Sequence, residues 1–94
     1  MPKQITWVQT TLPDEASAAR MAQALVTEGL AACVQRTPIR SVYQWDGAVC
    51  DEAEIRCDIK TSSAQREALI TRLIELHPYE VPEVLVLPEV ETTQ

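Results

Sequence analysis

A chain of 94 residues that is 46% hydrophobic and 23% charged has the size and apolar content of one packed domain, expected over residues 1–94, and not the composition of a disordered segment. Its net charge of −6, with eight scattered basic residues, argues against nucleic acid as a partner, because a phosphate backbone would be repelled. No apolar run approaches the ~20 residues of a membrane span, so no membrane partner is expected either.

In chain order, Ile5–Thr11 is β-branched and aromatic and predicts a first strand, ended by Leu12-Pro13. Asp14 is placed to cap a helix over the next stretch, EASAARMAQALVTE. There Ala18, Met21, Ala22, Leu25 and Val26 share a face and Gly29 supplies the stop. The chain returns as ACVQRTPIRSVYQWDG, a long strand in which Pro38 lacks a ladder donor and so predicts an edge position or a bulge.

Asp46-Gly47 turns that strand into a second arm, Ala48–Thr61. Here Ala53, Ile55, Cys57 and Ile59 alternate with Glu54, Arg56, Asp58 and Lys60, one face buried and one polar. Ser62 and Gln65 form a capping-box pattern before QREALITRLIEL, whose Leu69, Ile70, Leu73 and Ile74 predict a second helix ended by His77-Pro78. EVLVLP, between Pro82 and Pro88, predicts a buried last strand.

The order is βαββαβ. Right-handed crossovers place both helices on one face of a four-stranded antiparallel sheet, giving a ferredoxin-like α+β sandwich of strand order 4-1-3-2 with a long β2-β3 hairpin. The other face is left uncovered, and the overlong hairpin carries unpaired edge groups, so self-association is the expected remedy.

Chemistry-bearing residues are few. There is one histidine, His77, and there are two glycines, Gly29 and Gly47, so neither a nucleophile–base pair nor a phosphate loop is visible and no enzymatic activity is expected. Cys33, Cys50 and Cys57 form an odd set with no C-x-x-C pair and no signal-like N-terminus, which predicts a reducing, cytoplasmic setting. Cys57, and with it Cys33, reads as a small core residue.

His77 with Glu80 and Glu83 is the best local set of nitrogen and oxygen donors for a divalent ion. The competing reading has the His77 ring capping the helix C-terminus. Tyr43 and Trp45 share a strand parity and line either a packed hairpin face or a pocket. Glu54 and Lys60 lie on the polar face and would need partners if buried across a subunit boundary.

The segments TLPDEASA at the first strand–helix junction, GLAACV entering strand two, SVYQWDG at the hairpin, EIRCDIKT in strand three and HPYEVPEVLVLP at the end together resemble the CutA family of divalent-cation tolerance proteins. The resemblance runs from Ile5 to Pro88. It implies a ferredoxin-like subunit in a cytoplasmic homotrimer whose hairpins exchange edge pairing. It also implies a link to divalent metals, copper above all, with no agreed reaction.

A cysteine that some members carry near the end of strand one corresponds here to Thr10, and a histidine before the HPY motif corresponds to Leu76. His77 and Glu83 therefore remain as the metal donors the resemblance implies. Relatives usually continue past the last strand with a Tyr/Trp-bearing segment, where this chain stops at Gln94.

Three functions compete. One is a trimer that responds to divalent ions and binds copper or another divalent cation at His77 and Glu83. Another is a small-ligand sensor with an inter-subunit pocket lined by Tyr43, Trp45, Glu54, Lys60, Tyr79 and Glu83. The third is a trimeric scaffold for another protein.

Overall fold

Residues 3–93 are described by the structure, a computed structural model. The elements are β1 (Lys3–Leu12), α1 (Glu15–Thr27), β2 (Cys33–Trp45), β3 (Ala48–Thr61), α2 (Arg66–Leu76) and β4 (Val84–Thr92). The strands form one antiparallel sheet in the order β2-β3-β1-β4, the expected 4-1-3-2 arrangement read from the other edge.

Period-two alternation on β1 sets the two faces. Thr6, Val8, Thr10 and Leu12 are buried beneath the helices, and the intervening Ile5, Trp7, Gln9 and Thr11 point to the face without helices. Val8, Leu12, Cys57 and Ile59 from the central strands meet Ala18, Met21 and Leu25 of α1 and Leu69 and Leu73 of α2 in one core.

Capping defines the ends of α1. The Asp14 carboxylate accepts the Ser17 N–H at 2.7 Å, and Gly29 takes the left-handed conformation (φ 75°) that lets the Leu30 N–H close back on the Leu25 carbonyl at 2.9 Å. Val26 was expected on the buried stripe but is exposed. At 100° per residue it lies about 90° from the centre of the Ala18–Met21–Ala22–Leu25 face. On α2, Leu69 and Leu73 alone are buried and Ile74 is half-exposed. Ser62 accepts the Gln65 N–H at 3.3 Å in a turn ahead of the helix, so it is not the expected cap; Gln65 is the N-cap and makes no side-chain bond.

The hairpin arms run 13 and 14 residues in unbroken register from Cys33↔Lys60 to Trp45↔Ala48. Asp46 (φ 50°) and Gly47 (φ 77°) form the two-residue turn, both in the left-handed region that matches strand twist. Pro38 pairs opposite Ile55 on an edge strand without a bulge.

The polar arm departs from expectation. Asp58 and Glu54 are buried, at 6% and 9% exposure, whereas Ala53 on the supposedly apolar face is exposed, because there β3 has left the cover of the helices. Cys57 is in the core as expected. Cys33 has the opposite parity and is only half-buried.

β4 does not stop at Pro88. Between Ile5↔Val90 and Trp7↔Leu87 the register shifts by one residue, so Pro88 and Glu89 form a bulge opposite Thr6, whose hydroxyl donates to the Pro88 carbonyl at 2.9 Å. A residue without an N–H is accommodated there. β4 is an edge strand: Val84 and Val86 pack on the core, while Leu85 and Leu87 are exposed on the face without helices.

Candidate functional site

Beneath the turn that joins α2 to β4 lies a chain of polar contacts spanning three parts of the fold. His77, at the end of α2, is 8% exposed. Its Nδ1 accepts the Tyr79 backbone N–H at 3.2 Å, which places the proton of the neutral ring on Nε2. Nε2 lies 3.0 Å from Thr10 Oγ1 on β1, and the Thr10 hydroxyl donates to the Glu83 carbonyl at 2.7 Å. Burial holds the imidazole below its usual pKa of 6.5, partly opposed by a bond to the Thr11 backbone and by the Glu54 charge. The ring is thus neutral near pH 7. His77 is the C-cap residue of α2, as one reading of the sequence had it, but through its backbone N–H, which bonds the Ile74 carbonyl at 3.3 Å; among the described residues its ring makes no bond to a helix carbonyl.

Tyr79 extends the chain. Its ring lies 5.1 Å from that of His77, and its hydroxyl donates to Glu54 Oε2 at 2.6 Å. Burial first, then the bond and charge of Glu54, push the phenol well above its ordinary pKa of 10. Glu54 therefore finds its partner inside the chain. Tyr43, one strand over, also has acidic neighbours: desolvation first, then Glu52, raise its phenol, with Glu54 adding least.

Of the residues expected to share a pocket, Glu54 and Tyr79 are bonded, and Tyr43 lies within electrostatic reach of Tyr79. Trp45 and Lys60 do not join them. Trp45 pairs with Ala48 at the hairpin end, and Lys60 is at the other end of β3 beside Trp7, where its Nζ donates to Gln35 Oε1 at 3.1 Å. Ala48 and Lys60 are each six residues from Glu54 along β3, about 20 Å in either direction at strand rise. One chain cannot bring both to one ligand. Glu83 is exposed, and its carboxylate makes no bond among the described residues.

A metal ion is poorly served by a single copy. Both nitrogens of His77 are engaged, so a cation could reach a lone pair only by displacing the Tyr79 N–H. Among the described residues no three His, Cys, Asp or Glu side chains gather as a metal site. Two further residues join the contact chain: Thr10, which the sequence marked only as the counterpart of a family cysteine, links His77 to the Glu83 carbonyl, and Glu52 lies beside Tyr43. Thr10 shares the parity of Val8 and Leu12, which is the one signal that it points inward.

The chain matches the family profile described as CutA1 divalent ion tolerance protein over residues 6–94. A divalent-cation tolerance protein CutA from Pectobacterium atrosepticum is 44% identical over 79 residues, 83% of this chain and 72% of its own length. The solved CutA structure from Synechococcus elongatus superposes with a TM-score of 0.93 at 40% identity, covering 99% of this chain and 84% of that one. A Nostoc structure, described as a PII-like protein CutA in apo form, gives 0.83 at 43% identity over 87% of this chain and 78% of that one. The βαββαβ sandwich, with its extended hairpin and the His77–Tyr79–Glu54 chain at its base, belongs to the CutA family of divalent-cation tolerance proteins.

Proposed function

We propose that this CutA-family chain works as a homotrimer that binds copper or another divalent cation at the boundary between copies. Two observations together carry this reading: an incomplete donor set at the α2–β4 turn, and an unpaired strand edge at the other side of the sheet. Glu83 offers a carboxylate with no bond among the described residues and His77 a neutral imidazole in the same turn, while β2 leaves its outer edge open over 13 residues and exposes Val42 and Trp45, with Val49 exposed beside them on β3. Copper favours nitrogen with some oxygen, so these two residues suit it, and the remaining ligands come from a neighbouring copy. Hydrophobic side chains on an open strand edge favour pairing with another chain.

Calorimetry with Cu²⁺ on the wild type, His77→Ala and Glu83→Ala tests the site, and light scattering tests the trimer. Unchanged affinity in both variants would remove these residues from the reading. A monomeric mass would remove the assembly.

A second reading is a small-ligand sensor. It is favoured by the grouping of Tyr43, Tyr79, Glu52 and Glu54 around the hairpin base and by the PII-like description of the Nostoc relative. Thermal-shift measurements separate the two, since a ligand raises the melting point of the state that binds it. Stabilisation by divalent metals alone supports the first reading and stabilisation by small metabolites the second.

A further inference from the structure

The two-residue tip of the hairpin sets a carboxylate beside a peptide nitrogen, and nothing holds either. Asp46 and Gly47 are both exposed, and the ladder beneath them closes at Trp45↔Ala48. Among the described residues the Asp46 carboxylate accepts no bond and the Gly47 N–H donates none. Gly47 brings no Cβ beside that nitrogen, and where a Cβ would stand no atom comes within 4 Å. Both residues take the left-handed conformation, at φ 50° and 77°, which costs an L residue such as Asp46 more than it costs glycine.

The chain contains no asparagine and only four aspartates. Asp14 accepts the Ser17 N–H at 2.7 Å, Asp51 accepts from Arg40 Nε at 2.9 Å, and Asp58 accepts from Trp7, Gln9 and Arg56. Each of these three is followed by a residue with a side chain, Glu15, Glu52 or Ile59, whose Cβ crowds the next peptide nitrogen. Asp46 alone combines an unheld carboxylate, a glycine after it and a place at an exposed loop tip.

We propose that Asp46 is a modification site, at which the backbone isomerises spontaneously to isoaspartate through a succinimide closed by the Gly47 nitrogen. That nitrogen bonds to Cγ of Asp46, while its proton, a proton from solvent and one carboxylate oxygen leave together as water. Water then adds back to the five-membered ring and the solvent proton is returned. Breaking the bond from nitrogen to the Asp46 main-chain carbonyl carbon gives isoaspartate, and breaking the bond to Cγ restores aspartate. Mass and charge are unchanged. The product carries its backbone through Cβ and Cγ, one methylene longer, in a turn whose two left-handed residues match the twist of the arms.

The test incubates the native protein in heavy-oxygen water at physiological temperature and pH. A synthetic peptide of residues 42–50 isomerising in parallel sets the incubation time. Peptide mapping then locates the heavy oxygen, and a methyltransferase specific for isoaspartate, supplied with S-adenosylmethionine, reads the isomer. Expected are heavy oxygen in the fragment carrying Asp46 and methyl acceptance there severalfold above that at Asp14, Asp51 and Asp58. Asp46→Glu, whose ring would need six members, loses both signals.

Equal signals at all four aspartates overturn the proposal, as does a silent Asp46 in protein sampled after the peptide has isomerised. Methyl acceptance at the hairpin tip that persists in Asp46→Glu overturns it too. The comparison among aspartates is internal to the wild type, so it decides the matter even where the variant folds poorly.

Discussion

The hydroxyl of Tyr79 sits 2.6 Å from Glu54 Oε2, tying the turn after α2 to the place on β3 where the hairpin leaves the helices. Tyr79→Phe removes the donor and leaves a buried carboxylate with one partner fewer. A loss of about 1.5–3 kcal/mol is expected, the range for hydrogen bonds to charged groups. Urea unfolding of Tyr79→Phe, Glu54→Gln and the double variant checks it. Strictly additive losses would show that the two residues are not coupled.

Thr10 is fully enclosed and serves two partners, His77 and the Glu83 carbonyl. Thr10→Val keeps the shape and removes the hydroxyl, at an expected cost of about 1–3 kcal/mol for the polar groups left behind. Thr10→Ser keeps the hydroxyl and should cost less than Thr10→Val. Equal denaturation midpoints for the two variants would refute the bridging role.

Asp58 links stability to acid. Burial raises its pKa, but the bonds from Gln9 and Trp7 and the Arg56 guanidinium together outweigh that and hold it below 3.8. The folded state therefore binds the proton less readily than the unfolded chain. The contribution is complete above pH ~4 and is lost as pH falls through the lowered value. Stability measured from neutral to acid pH should fall less steeply below pH ~4 in Asp58→Asn than in wild type.

Cys57 has the opposite sense. Burial first of all pushes its thiol up to about 11, so the folded state keeps the proton through a range where the unfolded chain, near 9, has released it. Stability is lost as pH rises from about 9 towards 11. At pH ~8 a thiol reagent should leave Cys57 unmodified in folded protein and label it in denaturant. Rapid native labelling, located by peptide mass mapping, would contradict this burial.

Gly47 is left-handed at φ 77°, with open space where a Cβ would stand, so Gly47→Ala tests backbone strain without a clash. A cost of about 1–2 kcal/mol is expected from conformation alone. Asp46→Asn should be neutral or mildly stabilising, since asparagine suits φ 50° in a turn of this kind. Thermal unfolding of the two variants at matched concentration gives the comparison.

The sheet order was legible in the sequence because each element carried its own local signal. β1 alternates, Asp14 and Gly29 bracket α1, and Asp46-Gly47 fixes the hairpin register. The candidate site was legible only as residue types. Thr10 and His77 stand 67 positions apart and Glu54 and Tyr79 stand 25 apart, and such pairings depend on strand register and on the path of the α2–β4 turn. Asp58 was assigned to a solvated face because alternation reports parity; its enclosure by Trp7, Gln9 and Arg56 arises across strands.

The arm formed by β2 and β3 contributes most to a longest dimension of 47 Å, roughly twice the other two. An arm projecting that far has no core of its own, so each newly made chain presents an adhesive strip to any strand it meets. Pro38 deletes one donor midway along the strip, and the exposed Arg40–Asp51 ion pair, at 2.9 Å, places charge beside it. Both features slow indiscriminate pairing. Encounters at such a strip rise with the number of chains present, so local chain concentration adds to the hazard independently of how stable the fold is.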